Sequence, residues 1–220
     1  MSVPVVYTAV SGRYDELAEV PEELVSAGVR LVAFLDQGVH SAFEIRELDS
    51  VLPESVRGLD SNRRANWCKL HPHELFPDHE VSLWVDGNIG LQSSLPELFS
   101  VTGAWCCFPH PHRSCIFEEA AACASAQKDD PTLMFRQVTQ YLKEGYPRQH
   151  GLTENTVLLR RHNDPAVVEL SQSWWQEVLN WSYRDQLSFN YCCWKSDFSY
   201  QLLPGTVRNN PYFQMRRHKK

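Results

Sequence analysis

The chain has 220 residues, 43% of them hydrophobic and 22% charged, a composition that suits a soluble globular fold with one sizeable core. Its formal charge of −6 at pH 7 argues against a general nucleic-acid binder, and no apolar run approaches the ~20 residues that cross a bilayer. The opening MSVPVVYTAVSGRYDE carries no charged leader, so no secretory signal is expected and a cytoplasmic location is. Seven cysteines without C-x-x-C spacing read as free buried thiols in a reducing compartment.

In chain order, residues 3–10 and 30–36 read as strands, and 42–48 as a short third. The stretch DSNRRANWCKL, 60–70, reads as a helix with Asp60 or Ser61 as N-cap. Residues 81–86 and 104–108 are strands by β-branched and apolar content. Residues 114–127 are predicted helical, as are 131–144, with Pro131 in the first turn and Gly145 past the end. Residues 156–160 form a strand. In 165–180, Val167, Leu170, Trp174 and Val178 recur at helical spacing. Alternating strands and helices predict a mainly parallel sheet covered on both faces, with ligands bound beyond the strands' carboxyl ends. Three strands run into polar residues there: Ser11 to Asp15, Asp36 and Asp86.

Asp86-Gly87-Asn88 can offer a carboxylate and an amide oxygen to Mg²⁺ or Mn²⁺, which take hard oxygen ligands; as a bare tripeptide it is equally a turn. Arg63, Arg64 and Lys69 precede it on a helix. A charge pair at about 4 Å is worth about 4 kcal/mol at an effective dielectric near 20, so these cations suit a diphosphate. Adjacent arginines point in different directions, which leaves one of them for solvent. HPH occurs at 71–73 and at 110–112, and two histidines so spaced suit either loop positions or a metal. Asp185-Gln186 and Glu154-Asn155 are polar pairs beside apolar runs. Tyr7, Trp67 and Trp84 suit core packing or stacking on a base. The tail MRRHKK, 215–220, is basic; such an end is commonly solvated, and it permits contact with anionic lipid or phosphate.

The ordered set YTAVSGRYDEL, KLHPHELFP, VSLWVDGNIGL, HPHRSCIFEEA, GLTENTVLLRRHN and RDQLSFNY resembles a glycosyltransferase-like family, formerly a domain of unknown function. Its members are bacterial proteins and domains of plant proteins linked to cell-wall mucilage. More distantly, the layout is similar to the glycogenin-like and lipopolysaccharide glycosyltransferases of the GT-A fold, with Lys69-Leu70, Asp86-Gly87-Asn88 and Asp185-Gln186 at the matching motifs. The resemblance implies an α/β GT-A-like single domain over 1–210, a mainly parallel mixed sheet flanked by helices, with a basic tail at 211–220. It implies transfer of a sugar, a hexosyl group expected, from a nucleotide-diphosphate sugar (a UDP-sugar favoured) to a glycan or glycolipid hydroxyl, assisted by Mn²⁺ or Mg²⁺. Expected donor-binding residues are Tyr7, Thr8, Asp36, Arg63, Lys69, Asp86 and Asn88. Expected catalytic residues are Asp185, Gln186 and Glu154, and expected metal ligands are Asp86 and Asn88 with His110, His112 or His218. Asn88 departs from the family's second carboxylate and leaves less charge for a cation. A binding module without turnover, and a metal-dependent hydrolase built on the HPH pairs, remain the rival readings.

Overall fold

The computed structural model describes residues 4–12, 15–38 and 41–217; Val3, Arg13, Tyr14 and His218 of the expected strand, loop and metal set lie outside them. The strands are β1 (Val5–Val10), β2 (Arg30–Leu35), β3 (Glu44–Glu47), β4 (Ser82–Val85), β5 (Ile89–Leu91), β6 (Trp105–Pro109), β7 (Thr153–Arg160), β8 (Gln201–Leu202) and β9 (Phe213–Met215). The longer helices are α1 (Ser61–Leu70), α2 (Ile116–Ser125), α3 (Pro131–Lys143), α4 (Pro165–Asn180) and α5 (Phe189–Lys195).

All six residues of β1 are buried, as a central strand covered on both faces requires. Its side chains alternate between two cores. Val5, Tyr7 and Ala9 pack with Trp67 and Leu70 of α1 and with Val167, Leu170 and Trp174 of α4. Val6 and Val10 face the opposite layer, with Leu83, Val85, Ile89 and Phe213. Asp60 caps α1 by accepting from the Asn62 and Arg63 amides at 3.1 and 3.0 Å, and α3 and α4 each carry Pro in the first turn behind a capping Asp. All seven cysteines are free and buried. No helix among the described residues is long and apolar enough to cross a membrane.

The main sheet has seven strands in the order β3-β2-β1-β4-β7-β6-β8. The pairs β1–β2, β2–β3, β1–β4 and β6–β8 are parallel, whereas β7 runs antiparallel to both β4 and β6. β7 also starts at Thr153, three residues before the expected start, so Glu154 and Asn155 sit within the strand instead of in a loop feeding it. This reversal matters for the site. Val85 pairs with Val157, and the Asp86 amide donates to the Thr156 carbonyl at 2.9 Å. The beginning of β7 therefore meets the carboxyl end of β4.

Within the segment expected as a basic tail beyond residue 210, residues 213–216 are hydrogen-bonded into the fold. β9 pairs antiparallel with β5, Ile89 facing Met215 and Leu91 facing Phe213, and Phe213 is buried.

Tyr7 ties the core to the end of α1. Its hydroxyl donates to the Lys69 carbonyl at 3.0 Å and accepts from Arg160 Nη2 at 2.5 Å. Arg160 is fully buried, with its guanidinium 5.0 Å from the Trp105 ring centre. Its Nε and Nη1 have no hydrogen-bond partner, so Tyr7 is the acceptor that this guanidinium has among the described residues. Tyr7→Phe would strand both the cation and the Lys69 carbonyl. We expect it to cost about 1–3 kcal/mol of unfolding free energy, measured by urea denaturation.

Candidate active site

A crevice of about 600 Å³ opens where β1 and β4 end and β7 begins. Helix α1 gives it the face formed by Asn62, Ala65, Asn66 and Lys69, positions three and four apart that share one side of a helix. Arg63 points elsewhere. Its guanidinium donates to the Val178 and Trp181 carbonyls at 3.1 and 2.6 Å and pairs with Asp60 at 2.6 Å. It staples α1 to the end of α4 and does not border the crevice, contrary to its expected donor role. Arg64 is not left to solvent either. It pairs with Asp36 at 3.1 Å and with Asp49 at 2.5 Å, and donates to Ser11 Oγ at 3.1 Å.

Lys69 is the centre of the site. Its side chain is 4% exposed, and its ammonium lies 2.6 Å from Asp185 Oδ2 and 3.5 Å from Asp86 Oδ1. Trp84 Nε1 donates to the same Asp86 oxygen at 2.7 Å. Burial pushes the Asp86 carboxyl above its usual range; Lys69 pulls it back, and the nearby Asp185 charge raises it again. Gly87 follows because nothing larger fits: a Cβ there would lie 2.7 Å from Val10 Cγ2 and 3.1 Å from Asp15 Cβ.

Asp185 opens a 3₁₀ turn, Asp185–Leu187. The turn is held by Trp174 Nε1 on the Asp185 carbonyl at 2.9 Å and by Gln186 Nε2 on the Thr153 carbonyl at 2.8 Å. Gln186 thus locks the turn to β7 while also lining the crevice. Glu154 is 6% exposed and accepts from Arg208 Nη1 at 2.9 and 3.2 Å. Burial raises its carboxyl, Arg208 lowers it, and Asp86 raises it further. Beside it, Asn155 Nδ2 is buried with no hydrogen-bond partner and borders the crevice.

The expected residues divide. Asp86, Asn88, Lys69, Glu154, Asp185, Gln186 and His110 all border this one crevice. Tyr7 and Thr8 do not, being 0% and 1% exposed in the core; β1 instead presents Ala9. Asp36 acts from behind the crevice wall, accepting from the Gly12 amide at 2.6 Å and from Ser11 Oγ at 3.3 Å. His112 is exposed and outside the lining. His71 is buried and stacked on Trp67 at 4.7 Å, and its Nδ1 lies 2.8 Å from the Trp67 carbonyl. Burial pushes it down to about 4. Pro72 starts a helical turn there, Pro72–Leu75. Arg216 and Arg217 belong to the basic stretch read as able to touch anionic lipid or phosphate, whereas sequence reading missed Arg113, which lies 2.5 Å from Glu119, and also Arg184 and Arg208. Their one signal was basic residues next to the motifs already noted.

These donors do not fit a divalent cation. Among the described residues, no three His, Cys, Asp or Glu side chains come together to hold a metal. The ammonium of Lys69 already bridges the two carboxylates. The Asn88 amide nitrogen donates to the Arg216 carbonyl at 3.1 Å, so that side chain could offer a cation its neutral oxygen alone, with no second negative charge. His110 Nδ1 accepts the Arg113 and His112 amides at 2.9 and 3.2 Å, and its Nε2 lies 3.3 Å from the Arg113 guanidinium, a poor neighbour for a metal.

The model of the TOD1/MUCI70, glycosyltransferase-like domain family matches residues 54–218. A probable hexosyltransferase, MUCI70 of Arabidopsis thaliana, is 27% identical over 219 residues, covering 84% of this chain and 36% of the plant protein. The fold is like that of the bifunctional glycosyltransferase WbbM, with a TM-score of 0.57 at 13% identity, over 92% of this chain and 39% of that one. The chain thus spans little more than a third of either protein. The mixed α/β sheet with flanking helices is the GT-A arrangement.

Replacing Lys69 with Met would remove the charge that lowers the Asp86 carboxyl. A carboxyl raised above its unfolded value binds a proton more readily in the folded chain. Its contribution to stability is therefore lost as pH rises through that window. We expect Lys69→Met to lower the melting temperature more at pH 8 than at pH 5, as read by scanning calorimetry of both proteins.

Proposed function

The chain belongs to the TOD1/MUCI70 glycosyltransferase-like domain family, and from that premise we propose that it moves a hexosyl group from a nucleotide-diphosphate sugar to an acceptor hydroxyl of a glycan. The observation that carries this reading is the convergence of Asp86 and Asp185, from distant parts of the chain, on the single ammonium of Lys69. A site that fixes two carboxylates and one cation in a polar crevice suits a reaction that separates charge. The acceptor oxygen bonds to the anomeric carbon, and the bond from that carbon to the diphosphate oxygen breaks. The electron pair leaves with the nucleoside diphosphate, and the acceptor proton passes to a carboxylate or to the departing phosphate.

Asp185 faces the positive character that develops at the anomeric carbon, by the logic of carboxylates in sugar transfer. Lys69 offsets the negative charge of the leaving diphosphate from a position fixed before reaction. Asn155, with a buried amide awaiting an acceptor, and Glu154 bind sugar hydroxyls. The nucleoside lies along the crevice's extension past Ala9, Ser11 and Gly12.

The rival is a binding module without turnover, favoured by the commitment of the Asn88 carboxamide to the Arg216 carbonyl. Release of nucleotide separates the two, since only a transferase liberates it when acceptor is supplied. We expect Asp185→Ala and Asp86→Ala each to lower nucleotide release from a UDP-sugar by about 100-fold or more, with circular dichroism unchanged. Wild-type turnover in Asp86→Ala would refute the assignment, and nucleotide-sugar binding without release by the wild type would select the module.

A further inference from the structure

We infer that the protein grips its donor's diphosphate with arginines borne by the C-terminal strand, together with Lys69, and does so without a divalent cation. This rests on the nucleotide-sugar reading above. The Asp-Gly-Asn turn and the C-terminal segment are one structural unit. The Arg216 amide donates to the Asn88 carbonyl at 2.8 Å, and the Asn88 side-chain amide returns a bond to the Arg216 carbonyl at 3.1 Å. The Gln92 amide donates to the Tyr212 carbonyl at 2.9 Å, and Phe213 anchors the strand in the core beneath. The backbone of Arg216 is thereby fixed two residues beyond Asp86.

Both Arg216 and Arg217 line the crevice with exposed side chains. Neither has an ion-pair partner among the described residues. Of the other arginines of the wall, Arg113 pairs with Glu119 and Arg208 with Glu154, whereas Arg184 is half-buried and has no ion pair among the described residues. The open charge of the crevice thus includes Arg216 and Arg217, where the strand leaves β5, besides Lys128 and Arg184. Guanidinium groups match phosphate oxygens through paired N–H donors and keep their charge at any working pH. They can supply the neutralisation that a cation would give. The turn itself recruits that cation weakly, because it has one carboxylate, whose Oδ1 already accepts from the Trp84 indole at 2.7 Å and lies 3.5 Å from the Lys69 ammonium.

The test is binding of UDP, GDP and CDP by calorimetry, in EDTA and in Mn²⁺, to the wild type, Arg216→Ala/Arg217→Ala and the control Arg136→Ala on the exposed side of α3. We expect at least one nucleotide to bind the wild type with affinity that changes less than about twofold between EDTA and Mn²⁺. The double variant should bind it at least about tenfold more weakly, and the control should match the wild type. Binding that appears only with Mn²⁺ overturns the inference and leaves the transferase reading standing. Metal-independent binding that the double variant retains overturns the arginine clamp. A wild type that binds no nucleotide under either condition overturns the transferase reading itself, and the inference with it. Should the double variant not fold, Arg216→Lys/Arg217→Lys and the salt dependence of wild-type binding replace it; affinity indifferent to salt would contradict the clamp.

Discussion

A buried ammonium cannot stand alone, and Lys69 is 4% exposed. Desolvating a charge is costly unless partners compensate it, and here the compensation comes from two carboxylates on different elements. Asp86 ends the central strand β4, and Asp185 opens the turn before α5. The ammonium therefore does more than balance charge. It holds the carboxyl end of a strand and a turn distant in sequence at one place. The Tyr7 hydroxyl secures the Lys69 backbone from below, and the buried Arg160 secures Tyr7. The site is rigid because the core beneath it is hydrogen-bonded to it.

The antiparallel strand β7 is the second determinant. A purely parallel sheet would carry residues 153–156 to the opposite end of the molecule from Asp86. By running the other way, β7 brings Glu154, Asn155 and Thr156 to the crevice. Gln186 then ties the Asp185 turn to the Thr153 carbonyl. The candidate groups drawn from β4, β7 and the turn before α5 thus share one hydrogen-bonded framework.

Much of this was legible in the residues. The run VVYTAV predicts a buried strand, and the spacing of Val167, Leu170, Trp174 and Val178 predicts α4 to the residue. Strand-end polar residues lead to the crevice, because apolar strands that stop at Asp or Asn leave those groups where water or ligand reaches them. Other features were hidden for physical reasons. Strand direction is not written in β-propensity, so the expected mainly parallel mixed sheet did not single out β7 as a reversed strand, and its first three residues read as a loop. β9 is three residues long and gains its order from pairing with β5, a contact far away in sequence. As a bare stretch it looked like a solvated basic end. Tyr7 follows the apolar/polar alternation into the core, where its hydroxyl serves Arg160 instead of a nucleoside.

Asn88 joins the β4 end to the C-terminal strand. In place of a second carboxylate, it offers an amide that binds the backbone of Arg216, exchanging an anionic donor for a structural link to two arginines. That link sets the backbone of Arg216 beside the Asp-Gly-Asn turn. The most direct measurement is a crystal structure of the protein with UDP and MnCl₂, with anomalous diffraction collected at the manganese edge. The account predicts the Lys69 ammonium bonded to both Asp86 and Asp185, with no anomalous peak between Asp86 and the diphosphate. A manganese peak coordinated by Asp86, with Lys69 turned away from the two carboxylates, would contradict it.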